Sequence, residues 1–327
     1  MIVSYDTIMK PPYSVTIPIL QLIASISEKL GQINAAHLTQ PKAQLRKANR
    51  IKTIQSSLEI EGNTLNLEQV TAILDNKKII APEKDILEVK NAIKLYETLD
   101  LLKARSLPSF LRAHKILMDG LVASSGKLRS KNVGIAKGSQ LAHMAPPANM
   151  VKALMTDLFD YVKKSNDPLL IKSCVFHYEL EFIHPFEDGN GRMGRLWQTV
   201  LLKQHNPVFG FLPVETLIKK QQPDYYKALN QSDKAGQSTP FIHFMLAIID
   251  TALEELLQTQ SVSLQASDRI AHFQSLVGQE TFTRQEYLRK FKNISGATAS
   301  RDLREATGKK ILIKKGDKRT TTYRYKK

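Results

Sequence analysis

The sequence predicts a mainly α-helical bundle interrupted by one β-hairpin and followed by a small α+β module. Three observations lead there. Apolar residues recur at three- and four-residue steps through most of the first 260 positions, the period of a helix with one buried face. Residues 126–147 break that rhythm with short runs between turn residues, the mark of paired strands. Basic charge then gathers at the end: of a net +16, the segment from Asp268 onward holds 16 Lys and Arg against 6 Asp and Glu. The expected division is a helical region over 1–81, a central helical domain over 82–260 and a tail domain over 267–327.

Composition narrows the class. Hydrophobic residues at 42% and charged residues at 24% are ordinary for a globular protein. No run approaches the roughly 20 apolar residues of a membrane span, so no membrane partner is expected. The opening Met-Ile-Val-Ser-Tyr-Asp lacks the basic-then-apolar pattern of a secretory leader. One cysteine, Cys174, excludes an intrachain disulfide framework and fits a reducing cytoplasm. It lies on an apolar helix face and reads as core.

The elements follow in order. Ile19, Leu22, Ile23, Ile26, Leu30 and Ile33 make a helix of 18–34. Pro41 suits a first turn, and Leu45, Ala48, Ile51, Ile54 and Leu58 would face inward from a helix of 41–60. Gly62-Asn63 ends it. Residues 65–81 give a short capped helix and a turn. Ile86, Val89, Ile93, Tyr96 and Leu99 stripe a helix of 82–101, and 109–120 forms another carrying His114, which nothing pairs with a base or metal. Two short strands then flank Gly138-Ser139. Helices of 149–164, 168–183 and 191–205 follow, then a turn at 207–213. A segment holding Tyr225 and Tyr226 leads to an apolar helix of 240–258. In the tail, helices of 268–277, 283–291 and 295–308 precede a hairpin.

Between the helices of 168–183 and 191–205 lies His184-Pro-Phe-Glu-Asp188-Gly-Asn-Gly-Arg192-Met-Gly-Arg195. Backbone rich in glycine approaches ligands closely, and the free N–H groups of the following helix favour an anion, most often phosphate. Arg192 and Arg195 are three apart and can grip further phosphate oxygens. Asp188 is a hard oxygen ligand suited to Mg²⁺. His184 has the intrinsic pKa of a base near neutrality.

These twelve positions carry every fixed residue of His-Pro-Phe-x-Asp-Gly-Asn-Gly-Arg-x-x-Arg, and the chain therefore resembles Fic domain proteins. The resemblance implies a Fic-fold bundle and transfer of AMP from ATP to a Ser, Thr or Tyr hydroxyl of a target protein, with self-modification. It assigns His184 as base and Phe186 as the loop's core anchor. Asp188 would hold Mg²⁺, and Gly189, Asn190 and Gly191, with the Asn190 side chain, would cradle the α- and β-phosphates. Arg192 would neutralise the leaving pyrophosphate and Arg195 would hold the γ-phosphate, with Met193 and Gly194 completing the nucleotide-binding run. Tyr225 or Tyr226 would line the adenine pocket, and the hairpin would be a flap that pairs with the target's backbone.

Upstream, Ser57-Leu-Glu-Ile-Glu61-Gly62 resembles the family's inhibitory helix, whose Glu pairs with the last signature arginine and tilts ATP from a productive pose. Ser57 and Glu61 are four apart, on one helix face. The resemblance also admits removal of AMP by the same site, or a Fic fold that only senses nucleotide for a DNA-binding regulator. A flipped-nucleotide phosphotransfer is disfavoured by the intact Gly194-Arg195 end. The tail resembles a winged helix-turn-helix, with Arg301 and Arg304 on its recognition helix and Lys314, Lys315, Lys318 and Arg319 on the wing. DNA is its leading partner; docking of the target, or a homodimer, is the other reading.

Overall fold

A computed structural model describes residues 10–35, 43–137, 140–261, 266–291, 294–317 and 320–326, of which 135–144 and 260–261 by backbone alone. Pro41, the Gly138-Ser139 turn, and Lys318 and Arg319 lie outside the described residues. The chain separates into two compact units, one of residues 1–31 and 39–253, the other of 32–38 and 254–327.

The first unit holds α1 (Ile17–Ala35) as far as residue 31, then α2 (Ala43–Ile60), α3 (Leu67–Leu74), α4 (Glu83–Glu97) and α5 (Leu107–Leu117). The hairpin β1 (Gly134–Lys137) and β2 (Gln140–Met144) follows, then α6 (Ala148–Lys164), α7 (Leu169–Ile183), α8 (Asn190–His205), α9 (Val214–Lys220), α10 (Gln222–Ala235) and α11 (Thr239–Ser261), whose residues from 254 onward belong to the second unit. Short 3₁₀ turns at Leu99–Leu101 and Pro207–Phe211 punctuate the run. The hairpin is antiparallel, Gly134 opposite Met144 and Lys137 opposite Gln140, with a register shift between Ile135 and Ala136.

α7 and α8 pack together at the centre and are buried on nearly every side, with polar side chains such as His177, Arg192, Arg195 and Gln198 held inside by hydrogen bonds. Phe110, Phe159, Phe176, Phe186 and Trp197 form the aromatic core beneath the loop that joins them. Phe110 meets Trp197 edge-on at 5.0 Å and stacks on Phe186 at 5.4 Å. The Trp197 indole N–H donates to Ala104 O at 3.0 Å, so the ring is buried without a polar penalty.

Local chemistry sets the helix ends. Asn66 caps α3 through a reciprocal box with Gln69. Gly62, at φ 93°, closes α2 in the left-handed region. One expectation fails here: Ala48 is exposed and Asn49 is buried instead, because its amide donates to Phe211 O at 2.9 Å. A polar side chain with a partner outcompetes a small apolar one for the inward position.

The second unit carries α12 (Ala266–Val277), α13 (Arg284–Lys290) and α14 (Gly296–Gly308), then β3 (Leu312–Lys315) antiparallel to β4 (Thr322–Tyr325). Phe273, Phe282, Tyr287, Phe291, Leu303 and Tyr325 form its own core. Thr283 caps α13 in a box with Glu286, and Ser295 caps α14. Arg301, Arg304, Lys314 and Lys315 are exposed. Among the described residues, no helix is long and apolar enough to cross a membrane.

Candidate active site

α7 ends on His184, which adopts φ 51° and ψ 59°. A non-glycine residue in that region is uncommon and persists where its surroundings impose it. Three groups impose it here. Phe186 is fully buried, between Phe110 and a His114 ring stacked on it at 3.5 Å. The Asn190 side chain spans the loop, accepting from Phe186 N at 2.9 Å and donating to Phe186 O at 3.0 Å. Arg129, 3% exposed, donates from Nε to His184 O at 2.8 Å and from its guanidinium to Ile183 O at 3.2 Å.

His114 earns its place through both nitrogens. Gly126 N donates to Nδ1 at 2.9 Å, which leaves the proton on Nε2 to donate to Asp188 O at 3.0 Å. Burial pushes its pKa down to about 4, so the ring is a neutral, fixed strut. Sequence reasoning left His114 without a partner because its partners are backbone groups remote in the chain.

α8 begins at Asn190, with Gly189 capping it at φ 87°. A Cβ on Gly189 would meet Met118 Sδ at 2.8 Å, and one on Gly191 would run into the Glu61 carboxylate. Glu61 thus sits over the first turn of α8, where free N–H groups attract an anion. It pairs with Arg195 at 2.8 Å, and Arg195 also donates to the Ser57 hydroxyl at 3.1 Å and to Ser57 O at 2.8 Å. Arg195 is 2% exposed, whereas the Glu61 side chain is 32% exposed and faces a cleft.

That cleft has a cavity volume of about 290 Å³ and is lined by Glu61, Glu181, His184, Asp188, Tyr225 and Tyr226, among others. The size suits a small-molecule ligand. Gly189, Asn190, Gly191 and Arg195 also line it. Arg192, Met193 and Gly194 do not. Arg192 is buried and donates to Glu88 at 3.1 Å and to Asp188 at 2.8 Å, Met193 is fully buried, and Gly194 faces His177 and Glu181. The helical period turns positions 192 and 193 into the core, so they support the site from behind. Likewise the Asn190 amide is spent within the loop, leaving its backbone to the cleft.

Asp188 is half-exposed and accepts from Gly189 N at 2.6 Å. Burial works against its charge, but Arg192 and that N–H outweigh it and hold the carboxyl below its ordinary range. Glu88 in turn accepts from Asn63, just past Gly62, at 2.8 Å. A polar chain therefore runs from the end of α2 through Glu88 and Arg192 to Asp188. Among the described residues no cluster of three or more His, Cys, Asp or Glu could hold a metal ion. One carboxylate at the cleft suits Mg²⁺, which keeps substrate phosphates and water as its remaining ligands.

Residues 106–202 match the Fic/DOC family. A crystal structure of a Fic family protein from Desulfovibrio desulfuricans superposes with a TM-score of 0.75 at 40% identity, covering 97% of this chain and 98% of that one. Fic-1 from Caenorhabditis elegans shares the fold at a TM-score of 0.61 and 19% identity, over 75% of this chain and 74% of that one. The protein adenylyltransferase Fic of Nematostella vectensis is 29% identical over 249 residues, 72% of this chain and 55% of its own length. The chain spans about half the length of the curated relatives it matches.

Proposed function

The chain belongs to the Fic family, and from that premise we propose that it is a protein adenylyltransferase that holds its own nucleotide seat closed. One observation carries the reading: the Glu61 carboxylate lies over the N-terminus of α8 and on Arg195, where an anion of the substrate would otherwise sit.

With ATP as co-substrate, the N–H groups of Asn190 and Gly191 receive phosphate oxygens, the Gly189 N–H staying on Asp188, and Arg195, once freed of Glu61, holds the terminal phosphate. Asp188 would hold Mg²⁺, which supplies charge neutralisation on the phosphates. His184 takes the proton of a target Ser, Thr or Tyr hydroxyl. The hydroxyl oxygen bonds to the α-phosphorus as the bond to the β-phosphate oxygen breaks, and pyrophosphate leaves. Tyr225, Tyr226 and Leu229 wall the cleft beyond the phosphate seat and would face the base. The hairpin is the docking edge for the target's backbone. The chemistry is mostly positioning and charge stabilisation. Label from α-³²P-ATP should enter protein, label from γ-³²P-ATP should not, and His184→Ala should lower the rate at least about 100-fold. Transfer of the γ label instead would refute adenylylation.

We further infer that the second unit is a winged-helix module and that Arg301, Arg304, Lys314 and Lys315 grip nucleic-acid phosphates. Their exposure on α14 and β3, in the most basic part of the chain, supports it.

A further inference from the structure

A pocket for a triphosphate is lined here by four carboxyl side chains, Glu61, Glu181, Glu187 and Asp188. Three have evident means of coexisting with an anion. Asp188 is held by Arg192, Glu187 accepts from the Ser124 hydroxyl at 2.6 Å on an exposed rim, and Glu61 leaves with the inhibitory contact. Glu181 has no such means. It faces the cleft from α7, with the Tyr225 hydroxyl at 3.5 Å and His177 Nε2 at 3.8 Å, and the Arg195 cation that acts on it is already bonded to Glu61 and Ser57.

The bonds behind it leave it without a close donor. The Gln198 amide N–H points to Cys174 Sγ at 3.4 Å, so its carbonyl oxygen accepts from His177 Nδ1 at 2.8 Å. Burial holds His177 neutral, with a pKa pushed down to about 3, so its Nε2 carries a lone pair. The Tyr225 hydroxyl spends its one proton there, at 3.1 Å. With that proton held at His177, the Tyr225 hydroxyl, 3.5 Å from Glu181, is too distant to stabilise a charged carboxylate firmly.

Resting on the nucleotide reading of the cleft, we propose that Glu181 is a nucleotide-binding residue that works as a neutral carboxylic acid, and that a polyphosphate entering the cleft draws a proton onto it. The charged and titratable groups around it are Glu61 of α2, Arg195 of α8, His177 of α7, and Tyr225, Tyr226 and Asp233 of α10. Burial first, and Glu61 second, lift its pKa to about 7, with Arg195 opposing. An incoming polyanion replaces Glu61 with more negative charge, so the pKa in the complex is higher than in the free protein. Proton uptake is therefore absent well below neutrality, where Glu181 is already protonated, and appears as pH rises through its free pKa.

The test is calorimetric titration of the full chain with the magnesium complex of α,β-methylene-ATP, which cannot surrender AMP. Two buffers of different ionisation heat at about pH 7.5 report the protons taken up. Wild type should take up a fraction of a proton per nucleotide and lose up to about tenfold in affinity per pH unit above neutrality. Glu181→Gln should lack that uptake, bind with a flatter pH profile and exceed wild type at the alkaline end. Glu181→Ala serves the same purpose should the amide not fold. Equal uptake and equal pH slope in wild type and both variants would overturn the proposal while leaving nucleotide binding intact. No binding to wild type at any pH would instead bring down the nucleotide reading itself.

Discussion

Each unit contains a buried arginine paired with a carboxylate, and the two pairs are built for opposite purposes. In the second unit, Arg269 donates from Nε to Asp302 at 2.6 Å and from its terminal nitrogen at 2.8 Å, and Tyr287 donates to the same carboxylate at 3.2 Å. Both partners are sealed, with Asp302 2% exposed. In the first unit Arg195 is equally sealed, but Glu61 reaches it from a cleft open to solvent. A pair closed on both sides can only break by unfolding. A pair with one open partner can exchange that partner for another anion. The difference lies in the side-chain exposure of the acid and not in the bond, since both contacts are short.

Breaking the closed pair should have the largest effect on stability. Asp302→Ala leaves a buried guanidinium without its carboxylate and should cost about 3–5 kcal/mol. Amide hydrogen exchange in α12 and α14 reads that loss locally, because the single Trp197 reports only on the first unit. Glu61→Gln should cost less than about 1 kcal/mol by amide exchange in α2 and α8, since solvent reaches the site. Comparable losses for the two substitutions would erase the distinction.

Arg129 sharpens the comparison as a third kind of buried cation. Its four side-chain bonds go to the backbone carbonyls of Lys131, Pro146, Ile183 and His184, so it ties the roots of the hairpin to the loop that carries His184. Arg129→Ala should leave the affinity for magnesium nucleotide nearly unchanged while kcat falls about 100-fold, the cost of a misplacement near 1 Å. A parallel loss of nucleotide affinity would mean that the side chain merely holds the fold. The smallest effect belongs to the exposed cations. Substituting Arg301 and Arg304 together by Gln in the full chain should reduce the slope of log affinity against log salt for duplex DNA by about 2. An unchanged slope would remove α14 from any phosphate contact.

Much of this was legible in the sequence. The loop and helix from His184 to Arg195 could be read because glycines, charges and helical period coincide there, and Ser57 with Glu61 because their pattern resembles the family's inhibitory helix. α9 escaped notice: the seven residues of Val214–Lys220, set between Pro213 and Pro223, are too few to show a period. The inward turn of Arg192 also escaped, since an arginine reads as solvent-facing until Glu88, distant in the chain, is brought to it. Arg129 sits in a polar, glycine-containing run and reads as surface; carbonyl partners leave no trace in sequence. Glu181 reads as the polar side of α7, yet burial lifts its carboxyl to about 7. Sequence period locates faces, but it does not say which polar side chains find partners inside.

The central claim is that one carboxylate keeps the nucleotide seat closed. Intact-mass analysis of wild type, Glu61→Gly and Glu61→Gly/His184→Ala after incubation with magnesium ATP tests it most directly. The account predicts a gain of one AMP on Glu61→Gly, little on wild type and none on the double variant. An equal gain on wild type and Glu61→Gly, or no gain on either, would contradict it.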